Sequence, residues 1–429
     1  MWTAGCSDAA KRDRHFGRAE KYFAAEDYQK ALIEYQSVLR LEPTNRTVIV
    51  RVARIFCEQG SPLRALQVLQ SADIQADDPA VRCRIAEFRI ANGDSTAGRS
   101  DLMSVLAESP TNGEALRLLA VSAAAPADQT NTAAYLRRLG QSHPDSPPIL
   151  LAESILLLRR GQVQPAEQIL QRALQLDPNL VHGHVQMAQV HLQRTNLAAA
   201  EQSFSNAVRL ASYRSPIRIA YAESKAARAK PDEARAILDE VLSHAPDYLP
   251  ASLLLARIAM QERKLDEAMA LASRVVSRDP LNLNARQLRS QLHVVMRQPE
   301  KAALEWEQFD QSLRPNPLIK LLVARAHVAN GDSAKAIAAV DQAIRLGSNR
   351  LDAVAIESTL LRARLDIEGS NPVGAIESLE RLLVRTNVTE ARVLLIDAQR
   401  GAGRLDDAAA TCQALVRDVP DNPSFEFVL

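Results

Sequence analysis

Three histidines, His182, His184 and His191, lie close together in the sequence and come nearest to a metal-binding pattern. Zinc sites on one helix commonly use two histidines spaced by one helical turn, because that spacing puts both imidazoles on the same face. His184 and His191 are two turns apart, at positions that the helical pattern assigns to the core. The spacing therefore favours packing over metal binding, and we predict no metal ligand.

The four cysteines are Cys6, Cys57, Cys83 and Cys412, too few and too scattered for a disulfide framework. Cys412 replaces a leucine-type residue of the helical pattern, so we expect it to be buried. Cys57 and Cys83 fall on the predicted groove wall of two adjacent repeats, each of which is a pair of helices. They lie about two helical turns, or roughly 10 Å, apart along that wall. That separation exceeds the reach of a disulfide bond, so no cross-link is predicted.

Motifs that carry enzyme chemistry are missing from the sequence. It contains no GxGxxG or Walker loop for phosphates, no HExxH motif for zinc and no nucleophile elbow. We therefore predict no catalytic residue and no cofactor, and we do not expect an enzyme. A catalytic activity would require a further domain outside this chain.

Composition and charge narrow the classes of partner. Residues that favour helix are abundant, and only 4% of the residues are aromatic. The 52 basic and 51 acidic residues give a net charge of +1, whereas a chain that binds nucleic acid carries a basic excess. No run of about 18 apolar residues is present, so no transmembrane helix is predicted. Other proteins are the expected partners, nucleic acid is not, and the oligomeric state stays open.

Small residues recur along the chain at a spacing of 34 residues at most steps, 33 at two steps and 39 at one. The series is Ala31, Ala65, Gly98, Thr132, Ala166, Ala200, Ala234, Ala268, Ala302, Ala336, Ala375 and Ala408. A second series, from Ala19 to Ala363, precedes the first by twelve residues, with Ile396 as its exception. Antiparallel helices approach closely only where side chains are small, so each pair of positions predicts one helical hairpin.

Glycine and proline mark the ends of the predicted helices. One equivalent position between the two helices of a hairpin is occupied by Gly60, Gly93, Gly161, Gly331 and Gly403. A left-handed residue ends a helix at such a position, and glycine adopts that conformation without steric cost. Proline recurs near the end of the second helix in seven hairpins, from Pro43 to Pro420, and stops that helix.

This pattern resembles the tetratricopeptide repeat family, whose repeat is a hairpin of two helices with the same period. The resemblance covers residues 12–422 as twelve repeats, between an N-terminal segment 1–11 and a tail 423–429 that lacks a clear capping helix. It implies an all-α, right-handed solenoid, because no single hairpin buries its own apolar face. Repeat 4, with Pro126 and Thr132, and repeat 11, with about five extra residues, are the weakest matches.

The resemblance also implies a concave groove for peptide or helical segments, lined by the second, fifth, ninth and twelfth residues of each repeat. In the central repeats these positions are mostly apolar, as at Leu151, Ile155, Leu158, Val185, Leu192, Ile219, Leu253 and Met260. In the later repeats the ninth position is occupied by Arg257, Arg325 and Arg364, and Gln291 interrupts this series. These arginines form either a basic stripe for acidic segments or ordinary solvated pairs with nearby glutamates.

The N-terminus resembles that of bacterial tetratricopeptide lipoproteins of the PEP-CTERM/exosortase-associated type. Ala4-Gly5-Cys6 is similar to the end of a lipobox, although Thr3 departs from it, and residues 18–45 are similar to the first repeat of these proteins. Too few residues precede Cys6 for a charged start and an apolar stretch. Either a signal precedes Met1 and Cys6 carries a lipid, the only membrane contact expected, or the match is accidental.

The sequence thus predicts a non-catalytic scaffold or adaptor that binds protein segments in its groove, in a bacterial cell-envelope assembly. A lipidated Cys6 implies the periplasm or outer membrane, and an accidental match implies the cytoplasm. The alternative function is a cytoplasmic regulatory solenoid that senses a peptide or a partner protein.

Overall fold

The computed structural model describes residues 8–311, 315–347 and 352–418. In these ranges all regular secondary structure is α-helical, and the helices follow one another as antiparallel hairpins. The all-α solenoid predicted from the small-residue repeat is therefore confirmed. Cys6, Pro420 and the predicted tail 423–429 lie outside the described residues. None of the described helices is long and apolar enough to cross a membrane.

The chain divides into two compact units, Met1–Ala285 and Arg286–Leu429. The helices of the first unit are α1 (Asp8–Ala24), α2 (Tyr28–Leu41), α3 (Arg46–Glu58), α4 (Pro62–Ser71), α5 (Pro79–Ala91), α6 (Ser95–Glu108), α7 (Gly113–Val121), α8 (Pro126–Ser142), α9 (Pro147–Arg159), α10 (Val163–Leu176), α11 (Val181–Gln193), α12 (Leu197–Leu210), α13 (Pro216–Ala227), α14 (Pro231–His244), α15 (Leu249–Gln261) and α16 (Leu265–Arg278). The boundary falls in α17 (Leu283–Val295), and the second unit continues with α18 (Pro299–Gln311), α19 (Pro317–Ala329), α20 (Ser333–Gly347), α21 (Ala353–Glu368), α22 (Pro372–Leu383), α23 (Thr389–Gly401) and α24 (Leu405–Asp418).

The small residues lie where the two helices of a hairpin approach each other. Ala65 and Ala234 of the first series and Ala53 and Ala222 of the second are fully buried. A larger side chain at such a contact would overpack it, at a cost of roughly 1–3 kcal/mol. The repeat in the sequence is thus a repeat of close helix contacts.

The turn inside every hairpin except that of repeat 4 contains a left-handed residue. The five glycines predicted for this role have φ between +72° and +88°, which confirms the prediction. Other repeats place a different residue type at the same position, with φ between +56° and +63°: Glu26, Thr195, Ala229, Arg263, Arg297 and Ser370. The backbone conformation is therefore set by the hairpin, and glycine is its least strained occupant.

The two weakest repeats of the sequence pattern are irregular in the structure. In repeat 4, Pro126 starts the second helix early, so that α7 has 9 residues and α8 has 17. In repeat 11, α21 has 16 residues where α19 and α23 have 13 each. Part of the extra length of repeat 11 therefore extends its first helix, and residues 348–351 lie outside the described ranges.

Within each unit the hairpins form two layers. The first helices of neighbouring repeats pack against each other, as α3, α5, α7, α9 and α11 do in the first unit and α19, α21 and α23 in the second. The second helices pack on the outside of this inner layer. Side chains on the free face of the first helices consequently share one wall, where a ligand can reach several repeats at once.

Candidate functional site

Two turns that lie far apart in the sequence meet within the first unit. Gln59, in the turn between α3 and α4, donates from Nε2 to Asp247 Oδ2 at 3.0 Å. The amide of Leu249 donates to the Gln59 carbonyl oxygen at 3.1 Å. We refer to Gln59, Gly60, Arg214, Asp247 and Pro250 as the closure contact, because they join the turn of repeat 2 to the starts of α13 and α15, the first helices of repeats 7 and 8.

Arg214 connects most of the elements in the closure contact. Its side chain is 6% exposed, and Nη2 donates at 2.6 Å to the equally buried Asp247 Oδ1. Its Nη1 donates to the Glu58 carbonyl oxygen at 3.5 Å, and its guanidinium lies 4.6 Å from the centroid of the Tyr28 ring. A buried charge of this kind is tolerated only with such partners, so the ion pair fixes the geometry of the turns.

Gly60 is required in the closure contact for two reasons. Its φ is +80°, which disfavours a residue with a side chain. A Cβ atom built on Gly60 would also lie 2.5 Å from Cδ and Cγ of Pro250, well inside van der Waals contact. The two turns can therefore approach this closely only with glycine at this position.

A cavity of about 730 Å³ lies beside the closure contact, between the first helices of repeats 2–4 and those of repeats 6 and 7. We call it the inner cavity. Its charged wall, from α3, α5, α7 and the residue before α5, consists of Arg54, Glu58, Asp78, Arg84, Glu87, Glu114 and Arg117. Its neutral wall, from α11 and α13, includes His182, Val185, Gln186, Gln189, Ile217 and Ala220. The volume is within the range of ligand-binding sites.

Ion pairs run along the charged wall. Arg117 Nη2 lies 2.8 Å from Glu114 Oε1 and 3.4 Å from Glu87 Oε1. Arg84 Nη1 lies 3.1 Å from Glu87 Oε2, which extends the chain of alternating charges. Arg84, Glu87 and Glu114 keep side-chain exposures of 32–39%. These groups are therefore ordered by one another and are still accessible from the cavity.

His182 faces Glu114 across the cavity, with Nε2 3.7 Å from Oε2. Burial, reinforced by the positive charge of Arg117, lowers the pKa of His182 to about 4. Burial alone would raise the pKa of Glu114, but hydrogen bonds and charge from Arg117 outweigh it and lower that pKa to about 2. Neither group has a pKa near neutrality, where a general acid or base works best.

Cys57 and Cys83 line the inner cavity as free thiols. Burial raises the pKa of each to about 12, so the reactive thiolate is scarce at neutral pH. Cys412 is 2% exposed, which agrees with its predicted core position. No group of His, Cys, Asp and Glu within the described ranges is arranged to hold a metal ion.

The predicted apolar groove residues divide into two sets. Leu151, Ile155, Leu158 and Leu253 are buried, with exposures of 3–8%. They lie on α9 and α15, which carry apolar residues on most faces and are covered by neighbouring helices. In this structure they offer almost no surface to a partner. Val185, Leu192, Ile219 and Met260 are partly exposed, and of these four Val185 lines the inner cavity.

Each of the three predicted arginines is paired with a glutamate of a neighbouring repeat. In the first unit, Arg257 Nη1 lies 3.7 Å from Glu223 Oε1. In the second unit, Arg325 pairs with Glu357 and Arg364 pairs with Glu390. The arginine side chains are 45–50% exposed, so these are solvated ion pairs. That they bind acidic segments stays a prediction.

The sequence pattern did not single out the charged wall. Arg54, Glu87, Glu114 and Arg117 occupy the second, fifth or ninth position of repeats 2–4, the register that also selects the predicted groove residues. The alternation of positive and negative residues at these positions is the sequence feature that could have identified the charged wall. The core positions predicted for His184 and His191 are wrong, because both side chains are partly exposed, and His182 is 34% exposed at the cavity. α7 faces α11 because the series of hairpins in the first unit is curved. A local sequence pattern does not predict this curvature.

Two segments of the chain match models of a known repeat family. Residues 225–292 and 360–423 match models of the tetratricopeptide repeat. The chain is similar to yeast Tom70, with 14% identity, a TM-score of 0.49, and coverage of 96% of this chain and 92% of that chain. It is also similar to the human IFIT1 dimer with PPP-AAAA, with 14% identity, a TM-score of 0.43, and coverage of 87% and 91%. PilW, a type IV pilus biogenesis factor, has 17% identity, a TM-score of 0.37, and coverage of 49% and 96%. No curated protein matches the sequence.

The helical hairpins, the period of the small residues and the two matched segments define a tetratricopeptide-type solenoid. Proteins of this class are typically non-catalytic and act in protein–protein interaction, which supports an interaction scaffold here. The matched segments do not include the N-terminus. Its resemblance to bacterial lipoproteins therefore stays a prediction.

Proposed function

We propose that the chain is a non-catalytic scaffold that binds segments of partner proteins on the inner wall of its first unit. The inner cavity is the observation that carries the proposal, since side chains from five first helices converge on it. Partly exposed guanidinium, carboxylate and amide groups supply the donors and acceptors that a polypeptide needs. The volume of about 730 Å³ suits a short segment of a partner chain.

Site-specific photo-crosslinking tests this assignment. A photoreactive residue replaces Gln189, which is exposed on the neutral wall, and, as a matched control, Ala236, which is exposed on α14 in the outer layer. Crosslinking is carried out in cells that naturally produce the protein. We expect discrete protein adducts from position 189 and few from position 236. Equal labelling from both positions, or none from position 189, contradicts binding at the inner wall.

We further propose that the scaffold works in a bacterial cell envelope, tethered through a lipid on Cys6. The resemblance of Ala4-Gly5-Cys6 to a lipobox supports this setting, together with the similarity of the first repeat to that of tetratricopeptide lipoproteins. The DNA upstream of Met1 is the direct test. A charged start and an apolar stretch in frame with these residues support the tether. A stop codon immediately upstream contradicts it and favours the cytoplasmic regulatory solenoid.

A further inference from the structure

We infer that the inner cavity binds an extended peptide segment with a basic side chain directed at the charged wall, and that it does not bind a partner helix. This inference rests on the proposed function and names the ligand class for the same site. It follows from the closure contact beside the cavity, the chemistry of the neutral wall and the charge balance of the lining.

The closure contact favours an extended segment, because it keeps the two walls of the inner cavity close together. An α-helix with its side chains is about 10–12 Å wide. The inner cavity measures about 730 Å³. The closure contact limits widening, because Gln59 and Asp247 are hydrogen bonded at 3.0 Å beside it. An extended chain is narrower and needs no such expansion.

The neutral wall suits a backbone with unpaired groups. Gln189 is exposed on α11, whereas Gln186, one turn before it, is buried. A glutamine amide both donates and accepts hydrogen bonds, which matches the N–H and C=O of an extended peptide. A helix has already paired these groups internally, so it would leave the amide of Gln189 without a backbone partner.

The charge of the lining favours a basic side chain. The lining contains four carboxylates (Glu58, Asp78, Glu87, Glu114) and three guanidinium groups (Arg54, Arg84, Arg117), which leaves one carboxylate in excess. His182 is neutral and adds no positive charge. Arg54 donates to Asp78 at 2.9 Å but lies 3.9 Å from Glu58, so Glu58 is the more weakly paired carboxylate.

Glu58 and Glu87 are the carboxylates that we assign to the basic side chain. They remain 34% and 39% exposed, so each is accessible to an incoming lysine or arginine. Binding would displace water from them, and the lower dielectric of a filled cavity would strengthen the new ion pairs.

Peptide selection on the full chain tests the inference. Random hexapeptides displayed on phage are selected against the immobilised protein, and the enriched sequences are synthesised with blocked ends. Fluorescence anisotropy then gives their Kd. We expect Lys or Arg to be enriched at one position. The Glu58→Gln/Glu87→Gln variant should weaken binding at least about tenfold, and replacing the basic residue of the peptide by Gln should then have little further effect.

Two further variants separate binding from folding. Ala220→Trp fills the inner cavity from an exposed position on the neutral wall and should abolish binding. Ala236→Trp makes the same change at the exposed outer face of α14 and should leave the Kd unchanged. Both residues are exposed, so thermal unfolding should be close to that of the original chain.

Selection without basic residues, selection of no peptide at all, or a Kd that ignores Glu58→Gln/Glu87→Gln overturns the inference. Circular dichroism showing that the selected peptides bind as helices does so as well. If the proposed function itself is wrong, the photo-crosslinking experiment fails as well, and position 189 yields no crosslinked protein. Proteins that crosslink there but bind independently of Glu58 and Glu87 leave the proposed function standing and reject this inference.

Discussion

Arg214 and Asp247 form an ion pair of 2.6 Å in which both side chains are only 6% exposed. Through Gln59, which donates to the same carboxylate, the pair joins turns separated by 188 residues. Repeats of a solenoid normally contact only their neighbours, so stability is close to a sum of adjacent interfaces. The closure contact adds a long-range term within the first unit and makes the unfolding of repeats 2–8 more cooperative.

Asp247→Ala should cost up to about 3–5 kcal/mol, because it leaves the buried Arg214 with only the exposed Glu26, 3.5 Å from Nε, as an acidic partner. Urea unfolding gives the change in free energy, and hydrogen exchange at the Leu249 amide reports opening of the turn. The matched control is Asp145→Ala, which breaks an ion pair with Arg172 whose side chains are 62% and 57% exposed. That variant should lose less than about 1 kcal/mol. Equal losses in the two variants would show that the closure contact adds no special stability.

Gly60→Ala should destabilise the first unit more than Gly161→Ala does. Both glycines are left-handed, with φ of +80° and +72°, so both variants incur a similar backbone cost. Only at Gly60 does the new Cβ meet Pro250, whereas nothing lies within 4 Å of a Cβ at Gly161. We expect a difference of roughly 1–3 kcal/mol in urea unfolding. Pro250→Ala should recover part of the loss in the Gly60→Ala background, and no recovery would contradict this steric account.

Ala229→Gly should raise stability by about 0.5 kcal/mol. Ala229 has a φ of +58°, which costs a residue with a Cβ roughly 1–2 kcal/mol. Replacing Ala229 by glycine relieves this strain. The larger conformational entropy of glycine in the unfolded chain offsets about 0.5–1 kcal/mol of the relief. Ala226→Gly is the control, because Ala226 lies inside α13 and the change there should lower the melting temperature. A lower melting temperature for Ala229→Gly would rule out strain at this turn.

The sequence predicts those features that depend on local contacts. The left-handed conformation at Gly60 and Gly161 follows from their place in the repeat, whereas Ala229 has a residue type that gives no such signal. The closure contact depends on curvature, which sums small rotations between successive hairpins and is absent from any local pattern. The same limit explains Leu151, which has the register of a groove residue but is covered by neighbouring helices.

His182→Gln should make stability less dependent on pH between 6.5 and 4.5. The pKa of His182 falls from 6.5 to about 4 in the folded chain, so between these values the unfolded chain binds more protons. Its contribution to stability is therefore complete above pH 6.5 and is lost as the pH falls towards 4. Glu114 contributes a similar loss only below pH 4.5, because its folded pKa is about 2.

Urea unfolding at several pH values measures this dependence, and His143→Gln, at an exposed histidine of the same unit, is the matched control. An unchanged pH slope in His182→Gln would contradict a neutral, desolvated imidazole at the inner cavity.

Exchanging the charges of Arg257 and Glu223 distinguishes the two interpretations of the predicted basic stripe. The side chains are 48% and 59% exposed, so Arg257→Glu should change the unfolding free energy by less than about 1 kcal/mol. Arg257→Glu/Glu223→Arg restores the ion pair but moves the positive charge to the other repeat.

Because each arginine already has a glutamate partner, we expect the same set of crosslinked proteins from position 189 in the original chain and both variants. If the single variant loses partners that the exchanged pair does not recover, Arg257 itself binds an acidic segment. The pairs Arg325–Glu357 and Arg364–Glu390 allow the same exchange independently in the second unit.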